Sequence, residues 1–451
     1  MNTQLFGTDG IRGKANEWPI TPEVAMRVGR AVARVLGAEG SLPKVVIGKD
    51  TRISGAMLES AIVAGLISEG AEVLLTGAVP TPAVAYLTQQ LNCDAGVMLT
   101  ASHNPFADNG IKIFGSDGFK LNDALESEVE NIILDENLSA PSPKDGLGSV
   151  VQLSSVDAGE RYAEFAKKAI GGGELNGLKI VLDCAHGAAH AVGPRIFQDL
   201  GVEVISLGVD PDGKNINEGF GALHPEKAAA FVAEHQADVG ICFDGDADRV
   251  IFVDENSQVI SGDRVLCLCA KALKAQGKLK DDYLVATVMS NLGLRDALAE
   301  DGIKLDVTGV GDRLVIESMR KNGYSLGGEN SGHIIFAENA TTGDGIMSAI
   351  EVLAIMKRTG KKLSELAACM NEYPALLEAI AVKDKPPIDS LPELSGAISA
   401  AEVDMGEEGR VLVRYSGTEK KIRVLVEAKC ADAAKKHTEA ICAAVNAAIG
   451  C

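Results

Sequence analysis

The chain has 451 residues, is 46% hydrophobic and 24% charged, and sets 43 Lys and Arg against 63 Asp and Glu, for a formal net charge of −20. That length exceeds one ordinary core and asks for several domains, while the acidic balance argues against nucleic acid or an acidic membrane surface as a partner. No apolar run is long enough to span a bilayer and no charged-then-apolar signal opens the sequence, so a cytoplasmic protein is expected. Nine scattered cysteines without a Cys-x-x-Cys fit reduced, mostly buried thiols and give zinc no support.

In chain order, the stretch Leu5-Phe-Gly-Thr-Asp-Gly-Ile-Arg-Gly13 is polar and Gly-rich and carries one cation, Arg12. Residues 22–36 read as a helix with Pro22 at its start, 44–49 as a strand, and 57–69 as a helix ending at Gly70. The apolar run Ala95-Gly-Val-Met-Leu-Thr100 reads as a buried strand. It runs into Ser102-His103-Asn104-Pro105, where Asn-Pro marks a turn. The Ser102 hydroxyl therefore sits just past a strand end, where α/β folds place their chemistry, with the cation Lys112 close behind in sequence.

An internal repeat follows. Segments 65–77, 196–208 and 297–309 align without gaps: a helix end reaches a glycine (Gly70, Gly201, Gly302), then a short apolar strand reaches a second (Gly77, Gly208, Gly309). The first glycine fits a helix C-cap that needs a left-handed backbone. Spacings of about 100 to 130 residues are domain-sized, so three related α/β domains are predicted. The Pro/Gly/Ser-rich segment 139–149 and the polar run Asp254-Glu-Asn-Ser257 mark two boundaries, and a Pro-rich interruption near residue 384 marks a last, smaller domain. The expected domains are 1–152, 153–255, 256–371 and 372–451, the last ending in an Ala-rich helix over 431–449.

Each domain carries one unusual polar loop, the kind of element that holds function on a rigid scaffold. The second loop is Asp244-Gly-Asp246-Ala-Asp248-Arg249, between two apolar strands. Three carboxylates at alternate positions can converge on one point, which is costly unless a cation neutralises them. All-oxygen ligands suit Mg²⁺, and Arg249 beside them can hold a phosphate oxygen. An EF-hand is rejected because Arg249 stands at its required glycine and the flanks are strands. A haloacid-dehalogenase-type phosphatase, with Asp244 as nucleophile, is the rival.

The third loop is Gly327-Gly-Glu-Asn-Ser-Gly-His333. Glu329 and Ser331 lie two apart, so in an extended backbone both face one way and can bind neighbouring sugar hydroxyls. His333 can move protons near neutral pH. The fourth loop, Arg414-Tyr-Ser-Gly-Thr-Glu419, offers two hydroxyls, backbone N–H groups and a bidentate donor, with Lys420, Lys421 and Arg423 adding local positive charge. A serine nucleophile, a Mg²⁺ site, a sugar-reading loop and a phosphate cradle together imply phosphoryl transfer on a phosphosugar.

FGTDGIRG, TASHNP, DGDADR, GENSGH and RYSGTE occur in one order across essentially the whole chain, and with them the sequence resembles the α-D-phosphohexomutase family. FGTDGIRG and Thr341-Thr-Gly-Asp-Gly345 are similar to its glucosamine branch. The resemblance implies an α/β fold of four domains, three of them alike and a smaller C-terminal α+β domain, around a central cleft. It implies an isomerase that interconverts glucosamine 6-phosphate and glucosamine 1-phosphate on the route to UDP-N-acetylglucosamine and cell-wall precursors. Glucose or mannose phosphate specificity and a Mg²⁺-dependent phosphosugar phosphatase are the alternatives. By carry-over, Ser102 is the phosphorylated residue, and Asp244, Asp246 and Asp248 bind one Mg²⁺ with an oxygen from phospho-Ser102. Glu329 and Ser331 hold sugar hydroxyls, and Thr308 and Gly309 belong to a further substrate-facing loop. Arg414, Ser416, Gly417, Thr418 and Arg423 hold the non-reacting phosphate. Arg12, His103, Lys112 and Arg249 line the reacting centre, with Lys112 or His333 assisting proton transfer. A sugar 1,6-bisphosphate activator and a homodimer are implied as well. The sequence departs from the family's pattern at Tyr415 and Lys420, where proline is common, and at Asn330, where the branch has Gln.

Overall fold

The computed structural model describes residues 5–7, 9–37, 41–140, 146–153, 155–171, 173–416 and 420–451. Two compact units form within the chain, one from residues 1–289 and 305–368 and one from 290–304 and 369–451.

The first unit contains three sheets built on one plan. In the first, the strands Ala95–Leu99, Lys44–Lys49, Glu72–Ala78 and Ser149–Gln152 run parallel in that order. Asp108–Gly115 then adds antiparallel to Ala95–Leu99, followed by Gly10–Lys14 and Phe6–Gly7. The second sheet sets Glu203–Leu207, Lys179–Asp183 and Val239–Phe243 parallel, with Val250–Asp254 antiparallel beside the last. The third pairs Tyr283–Thr287 with Leu326–Gly328 in parallel and Ile334–Phe336 antiparallel to it. Ala95–Leu99 and Val239–Phe243 are buried at every position, as continuous apolar runs covered on both faces must be.

One consequence of this plan organises the molecule. In each sheet the chain leaves a buried parallel strand, makes a polar loop, and returns as that strand's antiparallel neighbour. Those three returns hold Ser102, the Asp244–Asp248 run, and Glu329. The repeated glycines sit where the helix-to-strand turn needs them: Gly70, Gly201 and Gly302 have φ of +85°, +83° and +65°.

The predicted helix at 22–36 forms as Pro22–Leu36, with Pro22 in the first turn and the Thr21 hydroxyl accepting from the Val24 amide. The Gly-rich opening forms two short strands, Phe6–Gly7 at the sheet edge and Gly10–Lys14 between it and Asp108–Gly115. One local reading changes. Gly327 and Gly328, assigned to the third loop, lie inside the strand Leu326–Gly328. A Cβ there would meet Met319 Sδ at 2.5 Å or the His333 carbonyl oxygen at 2.5 Å, so close packing rather than turning explains both glycines.

The second unit is a three-stranded antiparallel sheet, Ala375–Ala381, Lys421–Ala428 and Gly409–Tyr415, backed by the helices Pro392–Met405 and Ala431–Ile449. Its core includes Val382, Leu394, Ile422, Val424, Val426 and Ile441. The helix Leu292–Glu300 is tied to the sheet by buried Glu427, which accepts from the Leu292 amide at 3.2 Å and from Arg410 Nε at 2.7 Å. Five of the nine cysteines are buried. Among the described residues, no helix is long and apolar enough to cross a membrane.

Candidate active site

The returns of the three sheets in the first unit bring most of the sequence-selected residues into one ion cluster. Ser102 is 1% exposed and has φ +52°, a left-handed conformation uncommon outside glycine. Its amide donates to Thr100 Oγ1 at 2.9 Å, and its hydroxyl donates to Asp244 Oδ2 at 2.6 Å. His103 Nδ1 lies 3.3 Å from the same hydroxyl. Burial, with the Arg249 and Arg12 charges, pushes the His103 imidazole down to about 4, so its ring is neutral near pH 7.

Ala247, with φ +55°, kinks the second loop so that Asp244, Asp246 and Asp248 all turn inward. Their buried carboxylates each offer an oxygen within 4.8 Å of the others. Thr81 fixes Asp246 twice, its amide donating to the Asp246 carbonyl at 2.9 Å and its hydroxyl to the carboxylate. Burial, with Asp248 and Asp246 alongside, raises the Asp244 carboxyl well above its ordinary range. Burial acts the same way on Asp248, but Lys112, with His333 nearby, outweighs it and holds that carboxylate low.

Lys112, only 1% exposed, places Nζ 2.9 Å from Asp246 Oδ2, 2.8 Å from Asp248 Oδ2 and 3.1 Å from Asp9 Oδ2. Burial alone would strip its proton; the three carboxylates outweigh that and keep it an ammonium. The other oxygens, Asp246 Oδ1 and Asp248 Oδ1, are buried with no hydrogen-bond partner. Orphaned carboxylate oxygens beside a third carboxylate are the donor set a hard divalent cation takes. The residues present therefore fit a Mg²⁺ ion.

Asp9, Lys120 and Asp312 extend the cluster. Asp9 pairs with Arg12, Lys112 and Lys120, and Lys120 pairs in turn with Asp312. His333 Nε2 lies 3.5 Å from Asp312 Oδ2, and neither of its buried ring nitrogens has a hydrogen-bond partner. Glu329 Oε1 accepts from the Gly311 amide at 3.2 Å, which ties the third loop to the segment after Thr308 and Gly309. The Ser331 hydroxyl is likewise unpartnered and buried. Sequence reasoning passed over Asp9, Lys120 and Asp312 because they are scattered along the chain; the one local signal was the nearness of Asp9 to Arg12.

In the second unit, Arg414 and Arg423 lie directly opposite one another in the antiparallel pair. Burial, then Arg423, lowers the Arg414 guanidinium from its usual value. Two opposed cations favour an anion between them. The Ser416 amide donates to the Lys421 carbonyl at 2.8 Å, and Lys385 Nζ donates to the Ser416 carbonyl at 2.6 Å. Gly417 and Thr418 lie outside the described residues.

Models of the phosphoglucomutase/phosphomannomutase alpha/beta/alpha domains I, II and III match residues 3–139, 160–258 and 261–373, and the model of the C-terminal domain matches 377–444. The chain belongs to the phosphoglucomutase/phosphomannomutase family. Curated relatives in this family include phosphoglucosamine mutases of Desulfotalea psychrophila, 51% identical over 94% of both chains, and Geobacillus kaustophilus, 49% identical over 99% of both. Among solved structures, a phosphoglucomutase/phosphomannomutase family protein from Burkholderia thailandensis superposes with a TM-score of 0.81 at 26% identity, covering 99% of this chain and 98% of that one. Aspergillus fumigatus N-acetylphosphoglucosamine mutase, solved with GlcNAc-6P and magnesium, has the same fold, with a TM-score of 0.70 at 18% identity over 98% of this chain and 96% of that one. As a member of the phosphoglucomutase/phosphomannomutase family the chain is an enzyme, a mutase of the isomerase class.

Proposed function

We infer that the enzyme interconverts glucosamine 6-phosphate and glucosamine 1-phosphate, with Ser102 as the phosphate carrier. The observation that carries the chemistry is the buried Ser102 hydroxyl, 2.6 Å from an Asp244 carboxylate in a three-carboxylate cluster. The amino-sugar assignment rests on full-length similarity to phosphoglucosamine mutases at about half identity.

In the first half-reaction the phosphoryl group leaves phospho-Ser102 Oγ and joins the free O1 or O6 of the substrate, giving glucosamine 1,6-bisphosphate. The attacking hydroxyl loses its proton and Ser102 regains one. The bisphosphate turns over in the site, and the seryl oxygen takes the other phosphoryl group, so atoms balance over the cycle. Asp244, Asp246 and Asp248, with a phosphoserine oxygen, would hold a Mg²⁺ ion, which when bound supplies positive charge against the transferring group. The ammonium of Lys112 and the guanidiniums of Arg12 and Arg249 add cationic charge around the same centre. Neutral His103, and His333, whose ring nitrogens make no hydrogen bond, are the groups placed to carry the proton between hydroxyl and seryl oxygen. Glu329 and Ser331 bind sugar hydroxyls, Thr308 and Gly309 frame the sugar, and Arg414, Ser416, Gly417, Thr418 and Arg423 take the distal phosphate. Under this reading the segments 1–152, 153–255, 256–371 and 372–451 each supply one loop. A sugar 1,6-bisphosphate activator and a homodimer go with it.

Intact mass with peptide mapping tests the carrier. Phosphate is expected on Ser102 after incubation with glucose 1,6-bisphosphate and Mg²⁺, and it is expected to leave when glucosamine 6-phosphate is added. Phosphate on Asp244, or none on any residue, would replace the mutase reading with a phosphatase or a binding protein.

A further inference from the structure

We propose that Arg52 and Asn217 are positioning residues, two donors that clamp the Ser102 peptide in its left-handed conformation and so return the seryl oxygen to one place in both half-reactions. The proposal rests on the phosphoserine reading above.

The left-handed φ of +52° at Ser102 needs something to hold it, since a non-glycine residue leaves that region readily. The holding groups converge on one atom. The Ser102 carbonyl oxygen accepts from Arg52 Nη2 at 3.0 Å and from Asn217 Nδ2 at 2.9 Å. The same two donors also take the Asn104 carbonyl, at 2.8 and 3.1 Å. Arg52 Nη1 reaches the Asp108 carbonyl at 3.1 Å and that of Pro105, so one guanidinium spans the turn from residue 102 to 108.

Arg52 is itself fixed. Its side chain and that of Asp50 are both fully buried, its Nε donates to Asp50 Oδ2 at 2.8 Å, and its amide donates to Asp50 Oδ1 at 2.9 Å. Asn217 arrives from a separate segment, with its amide on the Ala185 carbonyl at 2.9 Å. Gly245 closes the remaining side: a Cβ there would sit 2.6 Å from the Ser102 carbonyl oxygen and 2.9 Å from Asn217 Nδ2. The carbonyl is thus gripped by groups from the spans matched as domain I and domain II.

Neither donor bonds the Ser102 hydroxyl or the carboxylates of Asp244, Asp246 and Asp248, so neither is a catalytic residue. Their effect falls on where Oγ sits. A mutase with one carrier must present the same oxygen in line to two different positions of the sugar, and small misplacements of a reacting atom are costly in rate.

The test uses full-length protein with Asn217→Asp, which sets an acceptor against the carbonyl with little change of shape, and Arg52→Lys, which keeps a charge for Asp50 but loses the fork. Three quantities are read: single-turnover phosphorylation of Ser102 by glucose 1,6-bisphosphate with Mg²⁺, steady-state kcat and KM for glucosamine 6-phosphate, and the thermal midpoint. Both kcat and the phosphorylation rate should fall about 10- to 100-fold, while KM stays within about twofold. Wild-type phosphorylation rates in folded variants would overturn the proposal, as would a rise in KM that accounts for the whole loss. If Arg52→Lys fails to fold, Asn217→Asp decides alone. Wild-type protein that takes no phosphate on Ser102 would instead refute the carrier reading itself, a distinct result.

Discussion

Replacing Lys112 with Met removes an ammonium that touches three carboxylates, at 2.8 to 3.1 Å, in a place only 1% exposed. Met fills most of the volume, so the loss is chiefly electrostatic. Breaking a buried ion pair from one side costs about 3–5 kcal/mol, because the remaining charge has no water to turn to. Asp9 keeps Arg12 and Lys120, so the exposed burden falls on Asp246 and Asp248. At roughly 2 °C per kcal/mol for a unit of this size, the metal-free thermal midpoint should drop by about 6–10 °C. Magnesium at a hundred times its dissociation constant should return about 2.7 kcal/mol to the wild type. It should return more to Lys112→Met, whose Asp246 and Asp248 oxygens no longer share a competing ammonium. Thermal and denaturant unfolding in EDTA and in Mg²⁺ give both numbers. A variant within about 1 kcal/mol of wild type in EDTA, or a magnesium increment no larger than the wild-type one, would refute a low-dielectric cluster poised for a cation.

Asp344 supplies a pH test. It accepts from Tyr162 Oη at 2.7 and 2.8 Å and from the Met347 amide at 2.9 Å, and burial raises its pKa to about 6 from 3.8. An acid raised on folding adds stability that is full below 3.8 and is lost as pH climbs through about 6. Relative to Asp344→Asn, the wild type should therefore gain up to about 3 kcal/mol between pH 7 and pH 4, and parallel unfolding curves would contradict this. Gly245→Ala should cost about 1–3 kcal/mol from overpacking and cut Ser102 phosphorylation disproportionately, read by calorimetry and intact mass; an unchanged phosphorylation rate would count against the close approach. Arg414→Leu should leave phosphate-free stability equal or higher by about 0.2–1 kcal/mol, by relieving its repulsion with Arg423, while KM for the sugar phosphate rises. A loss of stability with KM unmoved would mean the pair serves packing instead.

What could be read from the sequence was what lies together along it. The runs at 95–99 and 239–243 are apolar without interruption, so their burial on two faces was visible before any folding. The loops that follow concentrate their chemistry within a few residues, and TASHNP and DGDADR could be picked out whole. The three Gly-ended helices likewise appeared as a repeat. What stayed hidden needed distant chain to meet. Asp9, Lys120 and Asp312 are ordinary surface-type residues in sequence, and only the folded chain brings them together as a chain of ion pairs. Lys112 looked like a cation near a phosphate, while its enclosure by carboxylates from another sheet could not be inferred from IKIFG. Arg52 and Asn217 carried no signal because their targets are backbone carbonyls, which every sequence possesses. Glycine misled in the third loop, where Gly327 and Gly328 pack against Met319 and His333 instead of turning the chain.

The backbone at residue 102 also bears on which amino acid can occupy it. Threonine carries a hydroxyl of nearly equal nucleophilicity, and on chemical grounds alone it would serve as a phosphate carrier. A β-branched side chain, however, is all but shut out of the left-handed region that residue 102 occupies at φ +52°. The choice of serine is therefore conformational before it is chemical. An enzyme rebuilt with threonine would need a different turn to go with it, so residue 102 and its loop can change only as a pair.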